Sequence, residues 1–260
     1  MDTAYIASGL AVGFLVGLTG VGGGSLMTPL LVFLFGFAPT TAVGTDLLFA
    51  AITKTGGTWV HHKNHRSVEW KVVGLLGAGS IPAAVAVIYL LEKFGAQKQI
   101  AALLTHTLGV ALILTAVALL FRNRLVKASL EIDSHDSTGR FAHWTAPATV
   151  FTGLVLGVLV TLSSVGAGAL GTVALLFLYP RLPTVKIVGT DLAHAIPLTA
   201  VAGVGHWHMG NVDFQLLGSL LCGSLPGIYL GSKLSARVPE YVLRPILASL
   251  LLLIGIKFVL

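Results

Sequence analysis

Apolar and polar positions in this chain fall into long blocks rather than a short alternation. Ten apolar runs, at about 4–20, 25–37, 40–60, 70–91, 98–121, 146–163, 167–179, 184–206, 213–232 and 240–259, are separated by breaks rich in Gly, Ser, Pro or charge. About 20 apolar residues in an α-helix cross the ~30 Å hydrocarbon layer of a bilayer. The second and seventh runs hold only about 13 residues and follow Gly- or Ser-rich breaks, which is short for a crossing. Whether they cross or re-enter is open on length alone. The pattern predicts an all-α integral membrane protein of about ten hydrophobic segments in two inverted repeats, with paired short or broken helices at the midplane. The long polar stretch from Arg122 to Trp144 divides the chain into a first membrane repeat (1–121), a cytoplasmic linker (122–144) and a second membrane repeat (145–260).

Composition changes the picture only by excluding a soluble domain. The chain is 55% hydrophobic and 10% charged, with a mean hydropathy of +0.90, against about 25% charged residues in a soluble protein. The net charge of +6 reads as the basic bias of cytoplasmic loops rather than a nucleic-acid surface. The single cysteine, Cys222, excludes an intramolecular disulfide. Residues 1–20 lack the basic start and A-x-A site of a cleaved signal peptide.

Charge also sets the sidedness. If all ten runs cross, one face receives Lys63, Arg66, Lys71, Arg122, Arg124, Lys127, Arg140, Arg181, Lys186, Lys233, Arg237 and Arg244, and the other only Lys93, Lys98 and Lys257. That asymmetry places both termini outside and the linker in the cytoplasm of a multi-pass protein of the cell (inner) membrane. Treating each short run as half of a re-entrant hairpin leaves an odd number of crossings per half, so the sides are unchanged. Merging each pair into one crossing scatters the basic residues and is rejected. Trp59, Trp70, Trp144 and Trp207 fall at segment edges, where aromatic belts lie.

The halves repeat at an offset of about 144 residues. Val43-Gly44-Thr45-Asp46 returns as Val188-Gly189-Thr190-Asp191, and Gly79-Ser80-Ile81-Pro82 as Gly223-Ser224-Leu225-Pro226. Gly13 to Gly17 resembles Gly153 to Gly157, and Ser67-Val68-Glu69-Trp70 matches Asn211-Val212-Asp213-Phe214. An odd number of crossings per half makes the repeats inverted. The basic loop 61–66 then lies inside, and its counterpart 206–211, without Lys or Arg, outside. Inverted repeats with Gly-interrupted segments at matching positions point to a secondary transporter whose site lies where the breaks meet.

Gly17-Leu18-Thr19-Gly20-Val21-Gly22-Gly23-Gly24-Ser25, then Pro29 and Ala42-Val43-Gly44-Thr45, resembles the first-half signature of the TauE/SafE family of sulfite exporters. The loop ending Arg66-Ser67-Val68-Glu69-Trp70 fits as well, and the second half repeats the pattern more loosely. The resemblance spans nearly the whole chain outside 122–144. It implies a carrier of small anions, often sulfite, sulfonates or other sulfur compounds, coupled to an ion gradient. Two features depart from the family pattern: aspartate at 46 and 191, where members often carry a small residue, and lysine at 54, where a neutral residue is expected.

The chemistry follows from the breaks. A helix restarting inside the bilayer aims free N–H groups and the positive end of its dipole at the break, and glycine lets an oxyanion approach the backbone. Gly20, Gly22, Gly23, Gly24, Ser25 and Thr28 in the first half, and Ser163, Ser164, Gly166 and Gly168 in the second, are the candidate substrate contacts, joined by Thr45 and Thr190. Tight packing through small residues is the competing reading. The run 20–24 does not give G-x-G-x-x-G in register and lies in no βαβ unit.

Asp46, Asp191, Lys54 and His194 are the candidate coupling residues. A charged side chain at mid-bilayer costs at least about 2.5–3.5 kcal/mol, so it is rarely idle. Each aspartate reads either as a proton or cation site or as a cap in a first helical turn after Pro39 or Pro183. Lys54 reads as an anion or carboxylate partner or as a snorkelling side chain. His106 and His194 read as interhelical bonds or as a proton relay. The sets His61, His62, His65 and His206, His208 belong on opposite faces, and no H-E-x-x-H occurs, so no metal site is assigned.

The reading is therefore a secondary transporter for a small anion, most simply an exporter of sulfite or an organosulfur compound, driven by protons or sodium. It takes no cofactor, and its partners are substrate, coupling ion and lipid; association into homo-oligomers is open. The alternatives are a passive anion channel, an intramembrane enzyme built on Ser163 or Ser164 with His194, and a metal-ion transporter.

Overall fold

The computed structural model describes residues 3–19, 24–65, 68–94, 97–135, 140–235 and 240–260. These residues form ten helices: α1 Thr3–Thr19, α2 Gly24–Phe33, α3 Pro39–His65, α4 Trp70–Phe94, α5 Gln97–His135, α6 Arg140–Ser163, α7 Ala169–Leu178, α8 Thr184–His208, α9 Phe214–Ser235 and α10 Glu240–Val259. Each matches one predicted apolar run. The polar stretch after Phe121 continues α5 as helix to His135, and α6 begins at Arg140.

Stretches within α4, α5, α6, α8 and α9 are long and apolar enough to cross a membrane. By contrast α2 and α7 have 10 residues each. At 1.5 Å per residue they rise about 15 Å, half the hydrocarbon thickness. Three of the four tryptophans stand largely exposed at helix edges: Trp70 on the first residue of α4, Trp144 near the start of α6 and Trp207 near the end of α8.

The halves pack by exchange. Helix α1 lies along α9, and α6, the equivalent of α1, lies along α4, the equivalent of α9. Both contacts bring backbones together at glycine. A Cβ on Gly13 would sit 2.4 Å from the Ser224 carbonyl oxygen, and one on Gly157 would sit 2.4 Å from that of Ser80. Gly9 meets Leu220 and Gly153 meets Leu76 in the same way. These pairs set the α1/α6 register at Gly9 with Gly153 and Gly13 with Gly157. That is four residues away from the alignment of Gly13 with Gly153 that motif similarity suggests. Without a hydrophobic drive between helices in lipid, close approach of backbones is what van der Waals packing can exploit.

At the centre, α3 packs on α8. Leu48 meets Gly203, while Gly44 meets His206 and Asn211, so these equivalent helices run antiparallel. Helices α5 and α10 do the same, with Gly109 against Phe258 and Ile113 against Gly255. A buried apolar cluster of Val43, Leu47, Ala195, Leu198 and Ala202 seals the α3–α8 contact. Met27, Leu31 and Phe49 bury the first short helix against α3. Leu175, Leu176 and Ile187 do so for α7 against α8.

Candidate functional site

The motif Val-Gly-Thr-Asp assigns three jobs to three successive residues. Gly44 admits the Asn211 carbonyl, which would lie 2.2 Å from any Cβ there. The hydroxyl of Thr45 accepts the Asp213 backbone N–H at 3.1 Å, one residue before α9 starts. The next residue, Asp46, is fully buried and accepts the Thr28 hydroxyl on Oδ2 at 2.5 Å. The second half repeats the plan. The Glu69 N–H donates to Thr190 at 2.9 Å, and Thr172 donates to Asp191 at 2.9 Å. Thr45 and Thr190 thus spend their acceptor capacity tying the halves together, each at the start of the other half's helix.

Neither aspartate lies in a first helical turn; both are the eighth residue of their helix. They cap a neighbouring element instead. Asp46 also takes the backbone N–H of Thr28 in α2, and Asp191 takes those of Gly168 and Thr172 at the start of α7. Helix α7 has no side-chain cap of its own at Gly168. Asp191 therefore occupies the positive end of α7, where the sequence places an anion, and Asp46 stands one turn inside α2. Each carries one partnerless buried oxygen, Oδ1 of Asp46 and Oδ1 of Asp191. No Cβ could stand on Gly171, because it would fall 2.0 Å from that Asp191 oxygen.

The second break has unusual backbone. Ser164 holds φ of 58°, a left-handed conformation that costs a non-glycine residue about 1–2 kcal/mol. Gly166 and Gly168 hold φ of 121° and 125°, which glycine alone adopts readily. Ser163 serves the turn itself, accepting the Val165 N–H at 3.1 Å and donating to the Leu159 carbonyl at 2.6 Å. The Ser164 hydroxyl is buried beside the Asp46 carboxyl but makes no bond of good geometry. In the first break, Gly20, Gly22 and Gly23 lie outside the described residues. Gly24 and Ser25 open α2, and the Ser25 side chain lies outside them too.

Lys54 does not snorkel. It is buried, and its Nζ donates to the Ala167 carbonyl in the opposite break at 2.8 Å. It lies within electrostatic reach of Asp46, Asp191 and His194 together. A cation in a dry core needs such partners. Its repeat equivalent is Thr199, whose hydroxyl returns to its own helix at Ala195. His194 shares a hydrogen bond with Ser80, Nε2 to Oγ at 2.8 Å, and its equivalent is Phe49. The two-fold plan is therefore broken at the centre by one lysine and one histidine.

The remaining histidines separate. His206 is buried with Nε2 3.0 Å from the Thr161 carbonyl, whereas His208 is exposed beside Glu92. His106 lies on the exposed face of α5. Motif reading misses Thr172 as the Asp191 partner, and it finds the motif of Ser80 and the break at Ala167 without their roles as histidine partner and lysine acceptor. Thr172 stands 144 residues after Thr28, so the repeat itself carries the signal for it.

Comparison with known proteins agrees over the whole length. The family described as Sulfite exporter TauE/SafE matches residues 5–258. The chain is 39% identical to the "Probable membrane transporter protein YjnA" of Bacillus subtilis (strain 168), over 100% of both chains. It is 30% identical to the "Probable membrane transporter protein YdhB" of the same organism, over 93% of this chain and 96% of that one. A relative from Methanocaldococcus jannaschii, "Probable membrane transporter protein MJ0441", is 25% identical over 96% of this chain and 92% of its own. No solved structure matches significantly.

Proposed function

The chain belongs to the sulfite exporter TauE/SafE family and is a multi-pass membrane transporter rather than an enzyme, and we propose that it exports sulfite or another small organosulfur anion, the movement of the anion being coupled to that of a proton or cation. The anion site is the meeting place of the two breaks, between the N-terminal ends of α2 and α7. Ser163, Ser164, Gly166 and Gly168 serve it from the second half, and Gly20, Gly22, Gly23, Gly24, Ser25 and Thr28 from the first. Thr45 and Thr190 stand directly behind, holding the two helices that frame it. Asp46, Asp191, Lys54 and His194 couple the site to the driving ion.

One observation carries this reading: carboxylates from α3 and α8 are buried against the first turns of two half-length helices, with one buried lysine in electrostatic reach of both. A structural cap has no need of that third charge. Antiparallel packing of α3 with α8 and of α5 with α10 supports inverted repeats that rock about the site in alternating access. Among the described residues, Asp46, Lys54, Ser164, Asp191 and His194 at the centre are buried, as an occluded state requires. The repeats comprise 1–121 and 145–260, joined by a cytoplasmic connection through 122–144, with both termini outside the inner membrane.

The test is flux in proteoliposomes with a panel of sulfur oxyanions under an imposed pH or sodium gradient. Saturable uptake of sulfite or a sulfonate that follows one of the gradients is expected. Flux that ignores both gradients except through voltage would make the protein a channel.

A further inference from the structure

Charge counting at the centre takes the reading above one step further and rests on it. The ionisable groups facing Lys54 among the described residues are Asp46 from its own helix and Asp191 and His194 from α8. The break before α7 adds only the Ala167 carbonyl. His194 is bonded to the Ser80 hydroxyl and is counted neutral. Uncompensated charge in a dry interior costs several kcal/mol, so the stable empty site is the neutral one. That state has an ammonium on Lys54, one carboxylate and one protonated carboxyl.

The carboxylates also sit where the cargo must go. Asp191 holds the Gly168 amide at the start of α7, the kind of donor an oxyanion needs, and Asp46 holds Thr28 one turn into α2. The atoms left without partners, Asp46 Oδ1, Asp191 Oδ1 and Ser164 Oγ, are buried at that point. A carboxylate releases the amides when it takes a proton, because the neutral acid is a weaker acceptor than the anion. We infer that the cargo is a monovalent oxyanion carried together with one proton, the proton moving from water to the remaining carboxylate as the anion takes its place beside Lys54. The loaded site then holds one ammonium, one anion and two protonated carboxyls, and is neutral again. A divalent anion leaves the site negative, with no carboxylate left to protonate. The repeat supplies the two acid seats, and the unpaired Lys54 sets the count at one negative charge. Sulfite is then carried as its monovalent acid form, and sulfate is refused.

The experiment uses purified protein in proteoliposomes with pyranine inside and valinomycin to set the voltage. The probes are methanesulfonate, which stays monovalent near neutral pH, sulfate, which stays divalent, and sulfite, which interconverts. An inward methanesulfonate or sulfite gradient is expected to acidify the lumen with about one proton per anion, at a rate unaffected by voltage. Sulfate is expected to move at least tenfold more slowly. Lys54→Gln is expected to lower flux at least tenfold or make it voltage-dependent, and Lys54→Arg to restore neutral co-movement. Wild-type flux that carries current, or sulfate moving as fast as methanesulfonate, overturns the inference and leaves anion transport standing. Lys54→Gln with unchanged neutral flux overturns it too. If no oxyanion moves, the anion-transport reading itself falls. The wild-type stoichiometry decides the matter even if the lysine variants fail to fold.

Discussion

Thr45 and Thr190 make one hydrogen bond twice, in opposite senses. Thr45 in the first half accepts the Asp213 N–H of the second at 3.1 Å, and Thr190 in the second accepts the Glu69 N–H of the first at 2.9 Å. Each hydroxyl holds the start of a helix that belongs to the other repeat. The residue after each threonine points the other way and caps a short helix of its own repeat. One tripeptide thereby fixes the distance between the interface of the halves and the candidate anion site.

Removing those acceptors without changing volume tests their structural role. Thr45→Val and Thr190→Val are each expected to lower stability by about 1 kcal/mol, by leaving an N–H short of its partner. A loss in the double variant close to the sum of the two would show that the bonds act independently, and a departure from the sum that they are coupled. Thermal unfolding in detergent checks this; a neutral double variant removes the cross-tie.

The aspartates test coupling. Asp46→Asn and Asp191→Asn keep a hydrogen-bonding group at each cap but cannot exchange a proton. Either single variant keeps one carboxyl that can take the proton, so the double variant is the one expected to cut gradient-driven uptake at least tenfold while exchange of anion for anion persists. Wild-type accumulation under a gradient in the double variant would strip the residues of the coupling role.

Ser164 separates strain from function. Ser164→Gly relieves the left-handed backbone and is expected to raise stability by up to about 1 kcal/mol. The same change deletes a buried hydroxyl at the anion site, and the apparent affinity for anion is expected to fall several-fold. A variant that binds anion as tightly as wild type would show the hydroxyl to be a bystander.

Packing and orientation have separate checks. Gly153→Ala forces a Cβ to within 2.2 Å of the Leu76 carbonyl oxygen and is expected to cost about 1–3 kcal/mol, read as a lower midpoint of thermal unfolding. In a Cys222→Ser background, Asn64→Cys is expected to react with impermeant thiol reagents only from the cytoplasmic side and His208→Cys only from outside. Labelling of both from one side would end the inverted arrangement.

Much of this protein was decided along the chain. Blocks of apolar residue the length of a bilayer dictate helices, because lipid leaves the backbone no partner but itself, and ten predicted runs became ten described helices. The shortness of α2 and α7, the 144-residue repeat and the isolation of Asp46, Asp191 and Lys54 in apolar surroundings were equally visible, since each is a property of order and composition. What only the tertiary structure decided is direction. Lys54 reaches inward to Ala167 rather than out to the surface, Asp46 and Asp191 cap helices other than their own, and Thr45 and Thr190 face the opposite repeat. The register of α1 with α6 was likewise set by backbone contact at Gly9 and Gly13, not by motif likeness. The physical reason is that a sequence states which groups are costly to bury but not their partners: those of Asp46 and Asp191 lie on the preceding short helix of the same half, and those of Lys54, Thr45 and Thr190 lie more than a hundred residues away and are met only when the two halves close on each other.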